Sequence, residues 1–240
     1  SGGTGGTGGT FSKSTTVNGM TRTYTLYTPA SAMTAQSSAP VSLVIAFHGA
    51  GDNGTNFISA TGLTSACSTN SIILVGADGW LGNGGVRGWF LSTGEGWPGT
   101  DGYNNSWPND LAFATKIRDE VAALYNVGTK HVYACGFSRG AGFSCLLAEA
   151  SGNASILSGT WSSPFAAYGV CAGYDPFGQT LNLSSTTPKR PVWMIHGTAD
   201  GAVPYSQGQA AYNNFTASGW AAPPTKWTSR PTGSPSRRNC

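Results

Sequence analysis

The chain has 240 residues, of which 39% are apolar and 10% charged, with a formal net charge of +3. Charged residues usually make up about 25% of a globular chain, so this surface is mostly Ser, Thr, Asn and Gly and suits an extracellular protein that meets neutral material. The charge is too small and too scattered for nucleic acid, and the longest apolar runs, such as Val41 to Phe47, are strand-length and too short to cross a bilayer.

The first ten residues, SGGTGGTGGT, carry no apolar side chain and read as a Gly/Thr linker, 1–10. Residues 11–240 then read as one domain. Asn18-Gly19 lies between β-prone runs and predicts a hairpin, with Tyr24, Leu26 and Thr28 alternating with Thr23, Thr25 and Tyr27. Four apolar strand-like runs follow: Val41–Phe47, Ile72–Gly76, His131–Cys135 and Val192–Ile195. A fifth, Ala166–Cys171, is weaker. Between them Asn109–Tyr125 has helical periodicity, with Leu111, Ala114, Ile117, Val121 and Leu124 on one side, and Ser206–Ser218 is a second helix. Short buried runs alternating with helices predict an α/β fold: a mostly parallel sheet, helices on both faces and an N-terminal antiparallel hairpin. The stretch from Asp78 to Pro108 holds Trp80, Trp89, Trp97 and Trp107 among many glycines. A loop this long is usually functional, and it starts at a strand end, where open α/β sheets bind ligands.

Five cysteines are present (Cys67, Cys135, Cys145, Cys171, Cys240) without a C-x-x-C pair, which argues for disulfides in a secreted protein and against a metal site. Two bridges with one cysteine left over are expected. Sequons at Asn53, Asn104, Asn153, Asn182 and Asn214 add weak support for a secretory route.

Three motifs sit at strand ends. In "ACGFSRGAG" the pattern G-x-S-x-G falls at Gly136–Gly140, after a strand and before a helix, the context of a nucleophile elbow with Ser138 as nucleophile. The glycines leave room in a strained turn, and the helix N-terminus favours a developing oxyanion. "FHGAG", from His48 to Gly51, follows a buried strand; it reads as a loop in which the Ala50 N–H joins that of Arg139 as an oxyanion donor. His48 itself is read as structural. In "MIHGTADGAVPY" the strand ends at His196-Gly197, and Asp200 stands in the turn as the acid that would orient an imidazole. Asp175 is the rival acid.

These pieces, with "VNGMTRTYTLYTP" near the start, occur in an order that resembles the secreted esterases grouped with polyhydroxybutyrate depolymerases and with feruloyl and acetylxylan esterases. The resemblance covers nearly the whole chain. It implies an α/β-hydrolase fold, ester hydrolysis on plant cell-wall polymers or related polyesters, Ser138 and Asp200 as triad members, and neither metal nor cofactor. The departure is the histidine. In such triads it follows the acid, yet none follows Asp200. The domain is therefore expected to lack a C-terminal strand and histidine loop, with the base and the partner of Cys240 beyond the 240 residues.

The function this reading supports is a secreted monomeric serine esterase that releases feruloyl or related acyl groups, with Trp80, Trp89 and Trp107 binding the substrate. Some tryptophans would instead pack the loop itself. An acetylxylan esterase or an extracellular polyhydroxyalkanoate depolymerase are the alternatives within the enzyme class. A catalytically dead polysaccharide-binding homologue is the alternative outside it.

Overall fold

The computed structural model describes residues 8–81, 85–91, 107–155, 159–176, 183–221 and 226–228, with the backbone alone for 107, 108 and 226–228. It opens with the hairpin: β1 (Gly9–Val17) pairs antiparallel with β2 (Met20–Thr28). Asn18 and Gly19 both have positive φ, 49° and 83°, the geometry that matches a tight turn to the twist of its strands. Gly9 and Thr10, expected in the linker, instead pair with Thr28 and Tyr27.

The elements that follow are α1 (Ala30–Ala35), β3 (Val41–Phe47), α2 (Gly54–Ala60), α3 (Leu63–Thr69), β4 (Ile72–Ala77) and the short pair β5 (Trp80–Leu81) and β6 (Arg87–Gly88). Then come α4 (Trp107–Leu124), β7 (Val127–Phe137), α5 (Arg139–Glu149), β8 (Ala167–Cys171), β9 (Val192–Gly197), α6 (Tyr205–Ala217) and β10 (Lys226–Thr228). Eight strands form one sheet in the order β1-β2-β4-β3-β7-β8-β9-β10. It is parallel from β4 to β10 and antiparallel at the hairpin end. This is the mostly parallel α/β sheet expected from the alternation of runs and helices, in the α/β-hydrolase arrangement that the resemblance implies. One difference is that β8, the weak run, lies between β7 and β9 instead of leaving them neighbours.

The alternation of side chains along each strand divides the core. Leu43, Ile45, Val132, Ala134, Val170 and Met194 point to the face covered by α4, α5 and α6, where Leu111, Ile117, Phe143, Leu146 and Phe215 are buried. Ala46 and Leu74 point to the other face, under Phe57 and Ile58 of α2 and Cys67 of α3. Each fully buried side chain of this size contributes ~1.5–3 kcal/mol. Leu124, expected on the apolar side of α4, is 53% exposed at the helix end. On the second face no described helix reaches past β3 toward β9. An apolar groove of about 250 Å³ lies open there, lined by Phe57, Leu63, Cys135, Phe137, Trp193 and Ile195, with Trp193 44% exposed.

A buried ion pair ties the hairpin to the helical layer. The Arg22 guanidinium donates to Asp110 at 2.7 Å, with 2% and 0% of the two side chains exposed. Arg22 also donates to the Asp78 carbonyl, stands over the Phe113 ring, and leaves the second Asp110 oxygen to accept from the Phe90 N–H. Each partner thus makes a further hydrogen bond, which helps such a pair to offset its desolvation.

The cysteines differ from expectation. Cys67, Cys135 and Cys145 are free thiols. Cys171 is disulfide-bonded, its partner lying outside the described residues. The Asn153 sequon is buried, its amide donating to Thr186 and accepting from Ser155 and Ser185, so a glycan there is incompatible with the fold. Asn104 and Asn182 lie outside the described residues.

Glu149, at the end of α5, is wholly buried with neither carboxylate oxygen hydrogen-bonded. Burial pushes its pKa well above the carboxylate range, and the nearby Asp175 charge adds to the rise. Its folded pKa therefore exceeds the unfolded value of about 4.3. The stability it contributes is complete below that value and is lost as pH rises toward the folded pKa, by up to about 1.4 kcal/mol per pH unit. Glu149→Gln, neutral at every pH, is expected to gain stability over the parent chain progressively between pH 4 and pH 8 in thermal melts. Parallel curves for the two proteins would refute this.

Candidate active site

β7 runs straight into the sharp turn at Ser138, which also caps α5. Ser138 has φ 54° and ψ −118°, a conformation that costs an L residue roughly 1–3 kcal/mol. The two flanking glycines explain how the turn fits. A Cβ on Gly136 would stand 2.1 Å from the Gly140 carbonyl oxygen, and one on Gly140 would stand 2.1 Å from the carbonyl oxygen of Phe47 in β3. Backbone touches backbone at both points, so no side chain is tolerated. The turn is fastened by the Ser138 N–H, which donates to Cys171 at 2.9 Å, and by its carbonyl, which accepts from Ala141 and Gly142. The half-buried side-chain hydroxyl has no hydrogen-bond partner among the described residues.

The loop after β3 comes up against this turn. A Cβ on Gly49 would stand 3.2 Å from the Phe137 ring and 3.5 Å from the Ser138 Cβ. Ala50, next in line, is exposed, and its N–H has no partner among the described residues. Arg139 supplies the first N–H of α5, on the other side of Ser138. The loop carrying Ala50 and the first residue of α5 thus lie beside Ser138, at a helix end whose dipole favours negative charge.

His48 is held at both ring nitrogens. Nδ1–H donates to the Gly49 carbonyl at 2.6 Å, and Nε2 accepts from the Gly79 N–H at 2.9 Å. Acceptance at Nε2 requires the neutral Nδ1–H tautomer, and burial lowers the pKa to keep it so. His196 donates from Nε2 to the Val203 carbonyl at 2.9 Å, with its ring packed beneath Gly208 of α6. His131 is exposed in the first half of β7, seven residues and so roughly 20 Å from Ser138. None of the three makes a hydrogen bond to the serine hydroxyl.

Asp200 follows β9 and holds its own turn, Oδ1 accepting from Ala202 and Val203 at 2.8 and 3.0 Å. Its Oδ2 lies 3.9 Å from His196 Nε2. β7 and β9 are two strand spacings apart, so the turns bearing Ser138 and Asp200 stand about 10 Å apart. An imidazole between them would span much of that gap. Asp175, the rival acid, accepts from Asn214 of α6 at 2.9 Å.

Of the tryptophans expected to touch substrate, Trp80 is half-buried in β5. Trp107 begins α4, and its side chain lies outside the described residues, as does Trp97. Trp89 corrects the expectation. It is 1% exposed, stacked on Phe143 (4.9 Å, 9°) and edge-on to Phe47 (5.0 Å, 84°). It is part of the wall behind the site. Nothing in the sequence marks its neighbour Arg87, whose carbonyl accepts the Gly51 N–H at 2.8 Å; backbone bonds of that kind leave no trace in residue type.

Residues 29–220 match the family described as phospholipase/carboxylesterase. A curated relative, a bifunctional acetylxylan esterase/xylanase of Neocallimastix patriciarum, is 28% identical over 106 residues, which is 44% of this chain and 14% of that protein. The chain thus matches only a small part of that relative's length. Among solved structures, a lipase/esterase from Lactobacillus plantarum superposes with a TM-score of 0.64 at 11% identity, covering 92% of this chain and 90% of the other. Arabidopsis thaliana SOBER1 gives 0.57 at 20% identity (78% and 88%), and the Bacillus cereus carboxylesterase 0.58 at 18% (89% and 87%). At these identities the likeness is one of fold.

Gly140→Ala forces a methyl group into the Phe47 backbone. The expected cost is about 3 kcal/mol or more, a fall in Tm of about 6–12 °C. Gly201→Ala, with no atom within 4 Å of its new Cβ, is the control and should melt with the parent. Equal melting of the two variants would show that the elbow relaxes freely.

Proposed function

The chain belongs to the phospholipase/carboxylesterase family of α/β-hydrolases and is a carboxylic ester hydrolase of that family; on that premise we propose a secreted serine esterase that removes acyl groups from plant cell-wall polysaccharide. The observation that carries the reading is Ser138, strained and unbonded in a turn where backbone N–H groups flank it. A binding protein without catalysis has no use for that strain.

In the mechanism, Ser138 Oγ attacks the ester carbonyl and the carbonyl oxygen becomes an oxyanion. The N–H groups of Ala50 and Arg139 receive it, each donor worth roughly 3–4 kcal/mol in the transition state. Collapse expels the alcohol and leaves an acyl-enzyme, which water hydrolyses. Asp200 orients and charge-stabilises the imidazole that carries the proton. His48 and His196 are bonded elsewhere and His131 lies at the far end of β7, so none of the three meets the serine hydroxyl in this role.

Feruloyl is the acyl group favoured by the resemblance of the sequence motifs. Acetyl is a second reading, supported by the distant relative named as an acetylxylan esterase/xylanase. The two differ in what they demand: a slot for a planar ring, or a small closed site.

The test is hydrolysis of methyl ferulate, acetylated xylan and p-nitrophenyl acetate by residues 1–240, with and without added imidazole. The chain alone is expected to run about 10⁶-fold below a complete triad. After the protein-free imidazole rate is subtracted, imidazole should raise the rate of the parent but not of Ser138→Ala, whose Tm should stay within a few degrees. Equal rates in parent and Ser138→Ala would overturn the nucleophile. High activity of the chain alone, abolished by His196→Ala, would overturn the account of the base.

A further inference from the structure

A short segment that begins in β6, Arg87 to Phe90, touches both halves of the site. The indole N–H of Trp89 donates to the His48 carbonyl at 3.0 Å. The Trp89 carbonyl accepts from Arg139 Nε at 2.7 Å. Two residues back, the Arg87 carbonyl accepts the Gly51 N–H at 2.8 Å. On its far side the Phe90 N–H donates to Asp110, which the Arg22 pair holds in place.

These bonds have one thing in common. His48 and Gly51 bracket the Gly49–Ala50 peptide, and Arg139 carries the opposite N–H. To turn the Ala50 N–H away from Ser138, the backbone between His48 and Gly51 must rotate. Both ends of it are pinned by this segment. The carbonyl of the same tryptophan holds the Arg139 side chain, and its ring packs against both Phe47 of β3 and Phe143 of α5, which also touch each other; β3 and α5 are the two elements that meet at the elbow.

We propose that Trp89 is a positioning residue, which holds the two backbone donors at Ala50 and Arg139 at the spacing an ester oxyanion requires. This rests on the esterase reading of Ser138. Trp89 touches no substrate and acts through the donors it aligns. Such donors act through preorganisation, so loosening them should weaken the transition state more than the bound ester.

The decisive variant is Trp89→Phe, which keeps a ring and loses the indole N–H. In the imidazole-assisted hydrolysis of p-nitrophenyl acetate, corrected for the Ser138→Ala background, kcat should fall tenfold or more with KM within twofold. An unchanged kcat, or a loss carried wholly by KM, would overturn the proposal. Arg139→Lys, which removes the Nε–H but leaves the tryptophan packing, should shift kcat in the same direction; if Trp89→Phe fails to fold, this variant decides. Amide hydrogen exchange supplies a readout independent of turnover. The Gly51 N–H should exchange at least tenfold faster in either variant, and unchanged exchange would also overturn the proposal. If the parent shows no rate above Ser138→Ala, the nucleophile reading has failed, and exchange at Gly51 still decides whether the clamp exists.

Discussion

The site depends on a contact between main chains. Gly140, in the first turn of α5, lies against the Phe47 carbonyl of β3, and Gly136 lies against Gly140. Two strands and a helix thereby meet with no side chain between them. That closeness lets β7 end in a reversal sharp enough to lift Ser138 above the sheet edge, and it brings the loop after β3 within reach of the same serine. A methyl group at either glycine would separate the partners and move the donors along with the nucleophile.

Strain at Ser138 persists because its surroundings determine the turn several times over. The N–H is taken by Cys171, and the carbonyl by two amides of α5. Phe47, Trp89 and Phe143 form an aromatic stack beneath. That cluster is tied through Phe90 and Asp110 to Arg22, so the hairpin, far from the serine in sequence, joins the same chain of contacts. Interiors packed this closely transmit displacement.

Much of this was legible in the sequence, for identifiable reasons. Val41–Phe47 reads clearly because a parallel strand covered on both faces is apolar on both sides, and Val192–Ile195 reads as clearly although its Trp193 stands on the open face. β8 read weakly, since Ala167 and Gly169 give it little apolar bulk, although it stands near the middle of the sheet. α2 and α3 span 7 residues each, too short for a periodic signal to rise above the Gly- and Ser-rich background. The serine elbow was legible because glycines are demanded there by contact. Trp89 misled, because a tryptophan in a glycine-rich loop looks the same whether it faces solvent or core. Cysteine parity misled in a similar way: three of the thiols are buried among apolar neighbours or line the groove instead of pairing. The three histidines were legible one at a time, since each can be placed by the strand it adjoins.

The open face around Trp193 gives the 240-residue polypeptide a colloidal character of its own. A bare apolar strip on a surface where only 10% of residues are charged meets little electrostatic resistance when two molecules approach. Stickiness is then governed by solvent composition. Sulfate and other excluded salts strengthen apolar association, and urea weakens it. Among the described residues, the strip opposite α4, α5 and α6 is thus where salt would strengthen contact between copies of this chain.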